Sequence, residues 1–143
     1  MAKRYFTVDD VNVLVPRLDD IFARVLRLRA QLKGLYQKLE ARQHLPQGDD
    51  FDPIVPGAPE DVNRMRVTFK GLLECLRTEL TDVEALGAEV KDLETGLCDF
   101  WARSGGREVL LCWRYGEKSC GWFHDPDAGF AGRRPIAELG PRR

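Results

Sequence analysis

Hydrophobic residues recur along the first part of the chain at Val11, Leu14, Leu18, Ile21, Val25, Leu28, Leu32, Leu35 and Leu39, in alternating steps of three and four. Side chains so spaced lie on one stripe of an α-helix, and a stripe kept up over several heptads predicts packing against a second helix. Thr7 followed three residues later by Asp10 makes a capping box, which places the helix start at about Val8. Continued to about Arg42, the helix would be roughly 50 Å long. Pro16 lacks a backbone donor and crowds the carbonyl of Asn12, so a kink or a short lead-in helix is expected there. Residues 43–58 contain three prolines and two glycines and read as a loop. Pro59, Glu60 and Asp61 suit the first turn of a second helix. Its stripe runs Val62, Met65, Phe69, Leu72, Leu76, Val83, Leu86 and Val90, with the helix ending near Ala85 and Gly87 as its stop. Glu79 falls on that stripe, so Leu80 beside it has to compensate.

After Val90 the period changes to two. Leu97–Arg103 and Arg107–Tyr115 read as strands separated by Ser104-Gly105-Gly106, and Ser119–His124 follows after Gly116-Glu117-Lys118. A two-residue second turn would pair Trp113 with Trp122, Tyr115 with Cys120 and Leu111 with His124. One face would then carry Asp99, Trp101, Leu111, Trp113, Trp122 and His124, and the other Cys98, Phe100, Leu110, Cys112 and Phe123. Both are too apolar to face water, so one is expected to pack on the helices and the other to need a partner or a ligand. The predicted fold class is α+β: a long antiparallel two-helix coiled-coil hairpin (residues 7–87, loop 43–58) followed by a small three-stranded antiparallel β-meander. The β unit spans 90–136, the tail 137–143 is expected to be flexible, and residues 1–143 make a single domain.

A length of 143 residues fits one domain, and 43% hydrophobic with 31% charged residues excludes both disorder and a membrane-embedded chain. No apolar run approaches the ~20 residues of a spanning helix. The start, Met1-Ala-Lys-Arg-Tyr-Phe6, has no apolar core behind its basic pair, so a cytoplasmic location without export signal or anchor is expected. Residues 1–45 hold nine Lys/Arg against five Asp/Glu, and residues 46–100 hold five against thirteen. Opposite charges on two adjacent helices fix their pairing, and the acidic helix cancels much of the field a basic one would offer to nucleic acid. Nucleic acid is therefore not an expected partner.

The segments Tyr5-Phe-Thr-Val-Asp-Asp-Val-Asn-Val-Leu-Val-Pro16, Val90-Lys-Asp-Leu-Glu-Thr-Gly-Leu-Cys-Asp-Phe100, Gly105-Gly-Arg-Glu-Val-Leu-Leu-Cys-Trp-Arg114 and His124-Asp-Pro-Asp-Ala-Gly-Phe-Ala-Gly-Arg-Arg-Pro-Ile136 carry a likeness over nearly the whole chain. The sequence resembles the bacterial family catalogued as domain of unknown function 2203. The resemblance implies a bacterial origin and a shared fold, and it implies no activity.

Ligand-type residues crowd together in one stretch, His124 to Arg134. His124, Asp125, Asp127 and Arg133, flanked by Trp113 or Trp122, are the candidate ligand-binding residues: imidazole and carboxylates could hold a divalent metal, and glycine amides with Arg133 could receive a phosphate or carboxylate. The simpler reading of Asp125-Pro126-Asp127-Ala128-Gly129 is turn chemistry. Asp99 could orient His124, but with a strand between them the two are expected almost 10 Å apart at about 4.8 Å per strand. The four cysteines form no Cys-x-x-Cys pair and read as reduced, mostly buried thiols. A zinc site from dispersed cysteines plus His124 is the lesser alternative, since the short ligand loops of structural zinc are missing. No phosphate loop, nucleophile elbow or zinc-protease histidine pair is present, so no catalytic residue, metal or cofactor is assigned. The first functional expectation is a self-associating interaction or assembly protein, a homodimer or larger. The alternative is a small-molecule- or metal-binding module, with enzymatic activity left open.

Overall fold

The computed structural model describes residues 3–140. Its elements are α1 (Val8–Ala41), α2 (Glu60–Ala85), β1 (Glu89–Asp92), β2 (Leu97–Ser104), β3 (Arg107–Arg114), β4 (Trp122–His124) and β5 (Arg134–Pro135), with 3₁₀ turns at Phe130–Gly132 and Ile136–Glu138. The α+β class therefore holds, but the sheet has five antiparallel strands in sequence order where the alternation suggested three. The two extra strands are short edge pieces, four and two residues long, below the length at which a period of two is visible.

The capping box forms reciprocally: Thr7 N donates to Asp10 Oδ2 at 2.9 Å and Asp10 N to Thr7 Oγ1 at 3.1 Å. α1 runs on through Pro16 without a separate lead-in helix, because one missing donor is affordable where Val11, Val15 and Leu18 are all buried around it. Gly87 ends α2 with φ 101°, and a Cβ there would run into the Phe6 ring, so both backbone and packing favour glycine.

The chain forms two compact units: Arg24–Leu80, and the segments flanking it. In the first, α1 and α2 run antiparallel, joined by Arg42 to Asp61 (Nη1 to Oδ2, 2.7 Å) at one end and Arg24 to Glu79 (Nε to Oε1, 2.6 Å) at the other. Leu32, Leu39, Val62 and Phe69 form its core together with Phe51 from the loop. Arg66, buried, holds that loop in place by donating to the carbonyls of His44 (2.7 Å), Asp52 (2.9 Å) and Pro53 (3.1 Å). The seam positions Leu28, Leu35, Met65, Leu72 and Leu76 remain half-buried.

In the second unit one sheet face packs on α1 and the segment leading into it. Phe22 lies 6.1 Å from Trp113 between ring centroids, and Phe6 lies 5.2 Å from Phe100. The strand register differs from the expectation by one residue in each hairpin. Gly105 and Gly106 make a two-residue turn with φ 59° and 83°, so Ser104 pairs with Arg107 and Asp99 with Cys112. The second connection is no two-residue hairpin loop: Glu117 N closes a turn on the Arg114 carbonyl at 3.0 Å, and residues 118–121 follow before the next strand. Cys120 N donates to Asn12 Oδ1 at 2.7 Å and the third strand starts only at Trp122, pairing Cys112 with Trp122, Leu111 with Phe123 and Leu110 with His124. A slip of one residue exchanges faces. Asp99, Trp101, Leu110, Cys112, Trp122 and His124 thus share one face, and Trp113 lies on the other with Phe100, Leu111 and Phe123. The face turned away from Phe22 does not wait for a partner: Asp99, Leu110, Cys112 and His124 are all buried, and Trp122 alone of the six is classed as exposed. Residues 137 and 138 belong to the second 3₁₀ turn, where a flexible tail was expected, while residues 141–143 of that tail lie outside the described residues.

Candidate functional site

The observed register keeps Asp99 and His124 on one face, on either side of β3, and the one-residue shift adds Cys112 to that face. Asp99 lies opposite Cys112, whose other neighbour is Trp122, and His124 sits two residues beyond Trp122 on the same face. Both side chains lean over β3, and His124 Nε2 comes to 3.0 Å from Asp99 Oδ2, not the almost 10 Å expected from strand spacing alone. Strand spacing measures backbones, and two long side chains leaning toward each other span the difference.

Both ring nitrogens of His124 face acceptors, since Nδ1 lies 2.7 Å from the carbonyl oxygen of Asp125. The His124 and Asp99 side chains are only 3% and 4% exposed, so each answers the polarity of the other out of reach of water. The Cys112 thiol completes a buried group: ligand atoms of Asp99, Cys112 and His124 all lie within 4.8 Å of one another. Burial, and next the Asp99 charge, push that thiol up to about 12. It is no nucleophile in this state, and His124, with both nitrogens engaged elsewhere, is not placed as its base. Asp99 Oδ1 is buried and has no hydrogen-bond partner.

The other predicted site residues part company. Asp125 pairs with Arg107 (Oδ1 to Nη1, 2.8 Å) and more loosely with Arg134 (Oδ2 to Nη2, 3.7 Å), and its carbonyl also closes a turn with Ala128 N. Asp127 is exposed. Arg133 turns inward, its side chain 9% exposed, donating from Nη2 to both carboxylate oxygens of Glu117 (2.8 and 3.0 Å) and to the Cys112 carbonyl (3.4 Å). Its guanidinium stacks near Trp122 and Phe130, at 5.0 and 4.8 Å from the ring centroids. Trp113, on the opposite face, donates from its indole to the Glu117 carbonyl at 3.0 Å. The structure therefore gathers His124, Arg133 and Trp122 on one side of β3, separates Trp113 from them, and adds Asp99, Cys112 and Glu117. Sequence reasoning had Asp99 in view but the wrong register. It held Cys112 only as one of four dispersed cysteines in the lesser zinc alternative, since no local signal sets it apart and its partners come from two other strands.

Fold and site define an α+β protein with a helical hairpin, a five-stranded meander and a buried Asp–Cys–His group on the sheet. The chain belongs to the family described as an uncharacterized conserved protein, DUF2203, whose family model matches residues 4–136. No curated protein and no solved structure matches the chain.

Proposed function

We propose that the protein is an assembly protein of the bacterial cytoplasm that self-associates through its helical hairpin, as a two-fold dimer in the simplest case. The observation that carries this reading is the incomplete burial of the seam. Two helices form a single layer and can bury only the positions between them, so Leu28, Leu35, Met65, Leu72 and Leu76 stay half-buried, and Tyr36 and Val67 are exposed at 47% and 48%. A second hairpin supplies the missing layer and yields a four-helix arrangement. A groove of about 330 Å³ between Arg24, Leu28, Gln31, Cys75 and Glu79 offers a place for side chains of the second copy. Four free cysteines, one of them exposed, suit a reducing compartment.

Light scattering over a wide concentration range tests the reading. A dimer has twice the chain mass of 16.3 kDa, and Leu28→Asp should shift the population to monomer while circular dichroism stays unchanged. A mass of 16.3 kDa at every concentration overturns the proposal.

A further inference from the structure

Among the described residues two buried side-chain polar atoms have no hydrogen-bond partner, Asp99 Oδ1 and Arg133 Nε. Both residues are fixed against Cys112, Asp99 as its strand partner and Arg133 through its carbonyl. The Cys112 thiol, a weak donor, is the group left beside the Asp99 carboxylate. A buried acceptor so poorly filled costs about 1–3 kcal/mol, and an ion is one of the usual reasons why a fold retains it.

We propose that Asp99, Cys112 and His124 form a binding site for a divalent transition metal of the zinc type, with Asp99 Oδ1, Cys112 Sγ and His124 Nε2 as ligands. The three side chains already lie within 4.8 Å of one another, and ligands about 2.0–2.3 Å from a tetrahedral ion lie roughly 3.3–3.7 Å apart. A small contraction of a preformed group is enough. The His124 ring is already held in the orientation of a metal ligand: its Nδ1 is engaged by the Asp125 carbonyl at 2.7 Å, which leaves Nε2 aimed into the group.

Charge balance favours a dication. A thiolate and a carboxylate around a charge of +2, with a neutral imidazole, make a group of no net charge, and binding releases whatever protons the ligands carried. A buried site can hold such a group without carrying net charge out of water. The guanidinium of Arg133, which would oppose a cation, is already paired with Glu117 at 2.8 Å. The thiolate selects the class of ion, since calcium and magnesium take oxygen ligands. Three protein ligands leave the fourth position to water or a small anion. The inference does not depend on self-association.

Full-length untagged protein, stripped by chelator and titrated with Co²⁺ as the probe, decides it. The expected result is one ion per chain, a thiolate-to-cobalt charge-transfer band in the near ultraviolet, visible bands of a four-coordinate ion, and loss of both on adding Zn²⁺. Asp99→Asn should weaken Co²⁺ binding roughly tenfold or more, Cys112→Ser should lose the charge-transfer band, and Cys75→Ser should keep it. No such band from the natural protein, or a band that survives Cys112→Ser, overturns the proposal. Should Cys112→Ser fail to fold, Asp99→Asn carries the test: it is isosteric, its amide oxygen can still accept from His124, and unchanged Co²⁺ affinity in that variant overturns the site.

Discussion

Arg24 grips Glu79 with two parallel hydrogen bonds, Nε to Oε1 at 2.6 Å and Nη2 to Oε2 at 3.1 Å. This fork is how an acid occupies a position on the hydrophobic stripe of α2, its side chain only 16% exposed. The pair sets orientation more than it adds stability, because the desolvation of the carboxylate offsets much of the attraction. Glu79→Leu is expected to leave the urea midpoint unchanged or raise it, whereas Arg24→Ala strands the carboxylate and should cost about 1 kcal/mol. Equal losses in the two variants would show that position 79 is not part of the seam.

The hairpin core and its half-buried flank should respond differently to charge. Leu39 is fully buried, so Leu39→Asp should cost several kcal/mol or prevent folding. Leu28, the central position of the stripe by sequence, lies half-buried beside a groove, and Leu28→Asp should cost well under half as much in a monomer. Thermal unfolding of both at low concentration checks the order, and a reversal would relocate the core.

Arg66 is the clasp of the 43–58 loop. Arg66→Met keeps the aliphatic stem but leaves the carbonyls of His44, Asp52 and Pro53 without their donor, an expected loss of about 2–4 kcal/mol with faster proteolytic cleavage inside the loop. Cleavage at the native rate would mean that packing of Phe51 against Phe69, 6.2 Å between centroids, suffices to hold it.

Thiol chemistry supplies a dependence on pH. Burial, and next the Asp99 charge, raise Cys98 and Cys112, and burial raises Cys120 to about 11, all from an ordinary 9.0. The folded state therefore holds these protons more tightly than the unfolded chain does. Stability from the neutral thiols is complete below about pH 9 and falls as pH climbs through 11 to 12. Denaturant melts across that window should show the decline. At pH 8 a thiol reagent should modify Cys75 rapidly and the other three only on unfolding. Four fast thiols in the native protein would contradict the burial.

Much of this molecule is written in local chemistry. The alternating three- and four-residue steps, the Thr7–Asp10 box, the proline-rich break and Gly87 specify two helices within a residue or two of their ends, because each signal acts through neighbours on the same turn. The Gly105-Gly106 pair likewise marks the first hairpin. Register, by contrast, rests on a count of one residue and on a contact from far along the chain: Asn12 accepting from Cys120 N across 108 positions keeps 115–121 out of the sheet. That shift, with the same slip in the first hairpin, turns the side chains of β3 to the opposite face relative to β2 and β4. It moves Trp113 away from His124 and brings Cys112 to it, beside Asp99. The helices, the presence of a meander and a concentration of ligand-type residues around the end of β4 can be read from the chain alone. That Asp99, Cys112 and His124 converge cannot, because a constellation drawn from three strands exists only once their pairing does.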